Sequence, residues 1–151
     1  MTGSAYKNLI AEYIFRVHGQ RGIKVYSEVA IGKSCIGKSR RIDLFVYCSQ
    51  TNSAFSIECK YQSSQGTADE KIPYALTDMA ALQMGGCVVY GGTGWSKGVL
   101  HLLESSEHAA ACNPDPTSIR ATKDTRELDH LLAMHFGWWD LVVGTKKPLS
   151  F

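Results

Sequence analysis

The stretch Ile57-Glu58-Cys59-Lys60-Tyr61-Gln62, read with Arg41-Ile42-Asp43-Leu44 upstream of it, decides the fold. β-branched and aromatic residues dominate both runs, and Ser49-Gln50-Thr51-Asn52-Ser53 between them is a turn composition, so the pair reads as a hairpin. Side chains two apart on a strand point the same way. Ser56, Glu58, Lys60 and Gln62 therefore share one face, and Phe55, Ile57, Cys59 and Tyr61 the other. On the first strand Ile42, Leu44 and Val46 share a face opposite to Asp43. A symmetric turn centred between Gln50 and Thr51 sets Asp43 directly across from Glu58, with Cβ atoms about 5 Å apart. Two carboxylates and a lysine then meet on one patch of sheet.

The flanking segments supply the cover. Leu9, Ile10, Tyr13, Ile14 and Val17 recur at helical spacing and predict a helix from about Tyr6 to His18, stopped by Gly19 and Gly22. A short strand is expected from Lys24 to Ala30, then a basic loop over Gly32 to Gly37. Thr67-Ala68-Asp69-Glu70 has the spacing of a capping box. It predicts a helix running to about Met84, kinked or restarted at Pro73. Cys87-Val88-Val89-Tyr90 reads as a buried strand, Gly91 to Trp95 as a turn, and Lys97 to about Ala110 as a helix. Asn113-Pro114-Asp115-Pro116 breaks the pattern. A last helix runs from near Asp124 to Gly137, with Trp138 to Val143 a final strand or packed extension. This predicts one α/β domain over residues 1–151, a mixed sheet of about four to five strands flanked by helices, with 113–151 an extension packed on the core.

Composition sets the outer limits. The chain has 151 residues, 44% of them hydrophobic and 20% charged, the profile of a soluble globular domain. A formal net charge of +2 does not by itself announce a nucleic-acid partner. Lys33, Lys38, Arg40 and Arg41 do cluster just before Asp43. The five cysteines form no Cys-x-x-Cys pair, which argues against a zinc site and a disulfide framework and suggests a reducing, cytoplasmic location. No apolar run approaches the roughly 20 residues that span a membrane. Gly92-Thr93-Gly94 followed by Gly98 misses the dinucleotide spacing, and no Gly-Lys-Ser/Thr follows, so no nucleotide cofactor is expected. His130 and His135 are five apart, unsuited to a shared zinc.

Carboxylates from neighbouring strands make a hard-oxygen site for Mg²⁺, which takes one or two carboxylates together with water and substrate phosphate. The backbone carbonyl of Cys59 is a further donor on the same strand. A lysine beside them can position an attacking water or offset charge developing on a phosphate. The chemistry this set suits is metal-assisted phosphodiester hydrolysis.

Asp43 followed by Glu58-Cys59-Lys60 on the next strand resembles the PD-(D/E)XK nuclease superfamily, the fold of many restriction endonucleases. Arg41-Ile42-Asp43-Leu44 is similar to the superfamily's basic-then-apolar context, although Ile42 stands in place of proline. Gln62 resembles the glutamine of many branches, and the element order from Tyr6 to Tyr90 matches as well. The resemblance implies a restriction-endonuclease-like core, with Asp43 and Glu58 as metal ligands, Lys60 as the catalytic lysine and Gln62 orienting water or phosphate. It implies Mg²⁺ (Mn²⁺ substituting), DNA as partner, and a site-specific endonuclease of restriction, homing or phage type. A homodimer or higher oligomer is expected for double-strand cleavage. Members often carry a first-helix glutamate in the metal shell. Glu12 is the nearest candidate and Glu28 an alternative outer ligand. Lys33, Lys38, Arg40, Arg41 and Lys71 are the expected DNA contacts. Two alternatives stand beside this reading: a nuclease-fold DNA-binding or assembly protein without cleavage activity, and a structure-selective, junction-type repair nuclease.

Overall fold

The computed structural model describes all 151 residues. Helix α1 (Gly3–His18) leads into five strands, β1 (Ile23–Lys33), β2 (Ser39–Cys48), β3 (Ser53–Tyr61), β4 (Gly86–Gly91) and β5 (Ala109–Ala111). Helix α2 (Ala68–Ala80) connects β3 to β4, and α3 (Lys97–Ser105) connects β4 to β5. Helix α4 (Arg126–Phe136) and a short α5 (Trp139–Val143) close the chain. Spatial order follows chain order, β1-β2-β3-β4-β5. The first three strands are antiparallel and the last two join in parallel, as helical crossovers require. This is a restriction-endonuclease-like α/β fold with a five-stranded mixed sheet.

Alternation along the strands divides the interior in two. Leu44, Val46, Ile57, Cys59 and Val89 face α1 and α4, and pack with Ile10, Tyr13, Ile14, Leu128, Leu132 and Phe136. Val88 and Tyr90 face the other way, onto Ile72, Leu76 and Met79 of α2 and Leu103 of α3. Between α1 and α4 lies a buried polar clasp. Tyr13 Oη donates to both oxygens of Asp129 at 2.7 and 2.8 Å, and His18 Nε2 stands 2.8 Å from Asp129 Oδ1. Thr125 Oγ1 donates to Oδ2 at 3.1 Å.

Several boundaries differ from the sequence expectations. β1 extends to Lys33, so the basic loop shrinks to the turn between β1 and β2. Thr67 precedes α2 in helical conformation with no side-chain cap bond, so the capping box does not form. Asp69 instead accepts from Gln62 Nε2 at 2.8 Å and Ser96 N–H at 3.4 Å. α2 continues through Pro73 without restarting and ends at Ala80, before the expected Met84. The segment expected as one helix to Ala110 splits into α3 and β5. The residues after Trp138 form a short helix, not a strand.

Candidate active site

The β2–β3 ladder pairs Cys48 with Ser53 and runs to Leu44 opposite Ile57, where it stops. β2 goes on pairing with β1 through Ile42 and Arg41 and, after a shift in register, at Ser39. β3 goes on pairing with β4 as far as Tyr61 and Gly91. The two strands fork there, one residue before Asp43 and Glu58, which the register places opposite each other. At the fork Asp43 Oδ2 accepts the Cys59 backbone N–H at 2.9 Å. Ser56 and Gln62 send their N–H groups toward the β4 side, to Gly85 and Gly91. Odd-numbered residues of β3 therefore face β2, and the Cys59 carbonyl leaves the strand on the same side as its N–H. The Cys59 thiol lies in the core, its pKa pushed well up by burial, so only the backbone of this residue meets the site.

Lys60 Nζ donates to Glu58 Oε1 at 2.6 Å, with side chains 19% and 24% exposed. Burial first, and the Asp43 charge beside it, hold the Glu58 carboxyl above its usual range despite the Lys60 attraction that opposes them. Two carboxylates and a backbone carbonyl are hard oxygen donors. No group of three or more His, Cys, Asp or Glu side chains suited to a metal is gathered anywhere in the chain. The set fits a divalent ion that keeps most of its shell for water and substrate oxygens, as Mg²⁺ does.

Two hollows meet at Glu58 and Lys60. One is lined by Gly3, Ser4 and Lys7 of α1 together with Asp43, Glu58 and Cys59. The N-terminal end of a helix carries partial positive charge, so this wall favours an anion. The other hollow, of about 280 Å³, is walled by Lys38, Arg41, Lys71 and Tyr74. A carboxylate pair flanked by two cationic walls can hold a phosphodiester over a metal ion.

The remaining sequence candidates fall differently. Lys38, Arg41 and Lys71 are exposed at the second hollow, whereas Lys33 lines a neighbouring one. Arg40 is a tie between elements and not a free cation: its Nη2 donates to Asp78 Oδ1 at 2.8 Å and its Nε to Oδ2 at 3.2 Å. Asp78 also accepts the Cys35 N–H at 3.1 Å, which fastens the β1–β2 turn to α2. Glu12 points to solvent, paired with Arg16 at 2.7 Å one turn on, and does not line the cleft. Glu28 is ion-paired to Lys7, with Arg41 Nε at 4.0 Å.

Gln62 is buried and lines neither hollow. Its amide nitrogen donates to Asp69 and, at 2.9 Å, to Gly94 O. It ties the end of β3 to the glycine turn instead of reaching toward Lys60. A side chain cannot enter that turn: Gly92 has φ +86°, and a Cβ there would sit 2.3 Å from the Gln62 carbonyl. Trp95, at the end of that turn, is buried and donates its indole N–H to Gly91 O at 3.0 Å. Trp138 is buried against His18 and Phe136. Sequence reasoning missed Lys7. Nothing in one helix reveals that its second turn hangs over a fork between two distant strands.

A family model described as the PD-(D/E)XK nuclease superfamily domain matches residues 2–139. The chain belongs to that superfamily of nuclease domains. No curated protein matches the chain. Among solved structures, one similar fold is the crystal structure of a protein of unknown function, at 15% identity and TM-score 0.40, with 85% of this chain and 78% of that one covered. Another is a repair endonuclease from Pyrococcus abyssi, at 17% identity and TM-score 0.38. That match covers 72% of this chain, which spans only 45% of the repair enzyme's length.

Proposed function

We propose that the protein is an Mg²⁺-dependent endodeoxyribonuclease that acts at specific sites in DNA, with Asp43, Glu58, the Cys59 carbonyl and Lys60 at its reacting centre. The observation that carries this reading is the fork. Two carboxylates and a lysine stand together where β2 and β3 part, beside walls bearing Lys7 on one side and Lys38, Arg41 and Lys71 on the other.

Asp43 and Glu58, with the Cys59 carbonyl, would hold the divalent ion. When bound, it supplies Lewis-acid stabilisation of the pentacoordinate phosphate and lowers the pKa of attacking water. The rest is the work of this chain. Asp43 is fixed by the Cys59 N–H, so its second oxygen is presented to the cleft in one orientation. Glu58 fixes the Lys60 ammonium, which hydrogen-bonds the attacking water and balances charge on the non-bridging oxygens. The water oxygen bonds to phosphorus and yields a proton to solvent. The P–O bond to the leaving sugar oxygen breaks, and that oxygen takes a proton from water. Gln62 acts one step away, by holding the end of β3 against the glycine turn.

One such site cuts one strand, so double-strand cleavage calls for two copies. A homodimer is supported by the exposed apolar residues of α5, Trp139, Val142 and Val143. The direct test is plasmid DNA with Mg²⁺ or Mn²⁺. Discrete, metal-dependent fragments are expected. Binding without cleavage would contradict the reading and favour a non-cutting DNA-binding protein, and cleavage confined to branched DNA would replace site-specificity with structure selectivity.

A further inference from the structure

On the reading of this site as a phosphodiesterase centre, we propose that Lys7 is its second cation: it contacts a non-bridging oxygen of the substrate phosphate, facing Lys60 across the carboxylates, and Glu28 is its positioning residue.

Lys7 lines the same hollow as Asp43, Glu58, Cys59 and Lys60. It lies in the second turn of α1, yet its side chain is only 18% exposed, because it folds over the fork onto Glu28. The hydrogen bond to Glu28 raises the Lys7 pKa, and the charge of Asp43 adds to that rise. Asp43 is thus within electrostatic reach of the ammonium. Two lysines line this hollow with the carboxylate pair, and each is held by its own glutamate, Lys60 by Glu58 and Lys7 by Glu28.

The backbone at Glu28 is the second and independent observation. Its φ of +57° is left-handed; the other non-glycine residue with positive φ is Asn52, which sits in the β2–β3 turn. Glu28 is mid-strand. The β1–β2 register is unbroken across it, with Ser27 opposite Leu44 and Val29 opposite Ile42. The inversion makes neither a turn nor a slip in pairing; it re-aims one side chain. Regular alternation would set Glu28 beside Asp43, adding a third carboxylate to the patch. The strained residue instead turns its carboxylate to Lys7. Backbone strain held mid-strand at a cleft is the kind found where a side chain must be aimed.

The pair leaves Lys7 in place before substrate arrives. A phosphate then competes with an exposed carboxylate (Glu28 is 42% exposed) for the ammonium, so the exchange is easy. The arrangement suits a polyanion with its phosphate at the fork, and it is unsuited to a neutral ester.

The test compares wild type, Lys7→Ala, Lys7→Arg and Glu28→Gln in steady-state cleavage with Mg²⁺. In parallel, the salt dependence of DNA binding is measured in an Asp43→Asn background, where cleavage is blocked. We expect Lys7→Ala to lower kcat/KM by about 10- to 100-fold, with Lys7→Arg recovering much of the loss because the cation is kept. The slope of log affinity against log salt should become shallower by about 0.9 in Lys7→Ala, one phosphate contact fewer. Glu28→Gln should raise KM while leaving that slope unchanged, since the charge of Lys7 remains. Circular dichroism melts of all variants establish that each is folded. A Lys7→Ala protein that melts lower but keeps wild-type kcat, KM and salt slope would overturn the proposal and leave a plain structural ion pair. If wild type binds DNA but does not cut it, the nuclease reading fails while the salt slope still decides Lys7. If it neither binds nor cuts, both fall.

Discussion

The backbone N–H of Cys59 donates to Asp43 Oδ2 at 2.9 Å, at the step where the hairpin register would have given it Ile42 as partner. A side-chain carboxylate thus replaces a strand in the ladder. The pairing of β2 with β3 ends there and the Cys59 N–H stays satisfied, which is how a polar cleft can exist beside the tightly packed core residues Leu44 and Ile57.

Asp43 and Glu58 repel each other in a partly buried cleft, so a bound cation should stabilise the folded chain. Adding Mg²⁺ to roughly 100 times its dissociation constant is expected to raise unfolding free energy by about 2.7 kcal/mol. Thermal melts with and without Mg²⁺ measure this, and Asp43→Asn should abolish most of the shift. An equal shift in that variant would place the ion elsewhere.

Arg40 holds the Asp78 carboxyl below its ordinary range, with the Cys35 N–H assisting. A depressed carboxylate contributes stability that is present above its unfolded pKa of about 3.9 and is lost as pH falls through the lower folded value. Asp78→Asn should therefore destabilise the protein at neutral pH by about 1–3 kcal/mol. It should also flatten the acid limb of a stability-against-pH curve. An unchanged acid limb would mean that the pair does not fasten α2 to the β1–β2 turn.

Asp129 gathers Tyr13, His18 and Thr125 between α1 and α4. Asp129→Ala leaves the buried Tyr13 hydroxyl and His18 ring without their partner, while Thr125 keeps the Thr122 carbonyl, and should cost about 3–5 kcal/mol, read by urea denaturation. Tyr13→Phe should cost about 1–2 kcal/mol, because it removes one donor and leaves the others paired. Similar losses in the two variants would argue against a shared network.

Much of this was readable in advance where periodicity and turn chemistry agree. Alternation and the Ser49–Ser53 turn place Asp43 opposite Glu58; the β2–β3 register agrees with this as far as Leu44 and Ile57, one step short of the two carboxylates. What the sequence hides is set by tertiary contact. Ala109 to Ala111 has helical propensity, and becomes a strand because β4 offers an edge to pair with. Gln62 shares the alternation of Glu58 and Lys60, but β3 ends at Tyr61 and its side chain turns to Asp69. Thr67 and Glu70 have the capping-box spacing, yet Thr67 makes no cap bond. Lys7 and Glu28 lie 21 residues apart, and no local pattern announces a pairing that depends on an inverted backbone in mid-strand. Glu12 falls well away from the apolar stripe of α1, which marks it as a solvent-facing charge, and it is exposed and paired with Arg16.

Cleavage of supercoiled plasmid by wild type, Asp43→Ala and Lys60→Ala in Mg²⁺ tests the central claim most directly. The account predicts metal-dependent cutting by wild type that falls by at least about 100-fold in each variant, with all three proteins folded by circular dichroism. Wild-type rates in either variant would contradict it.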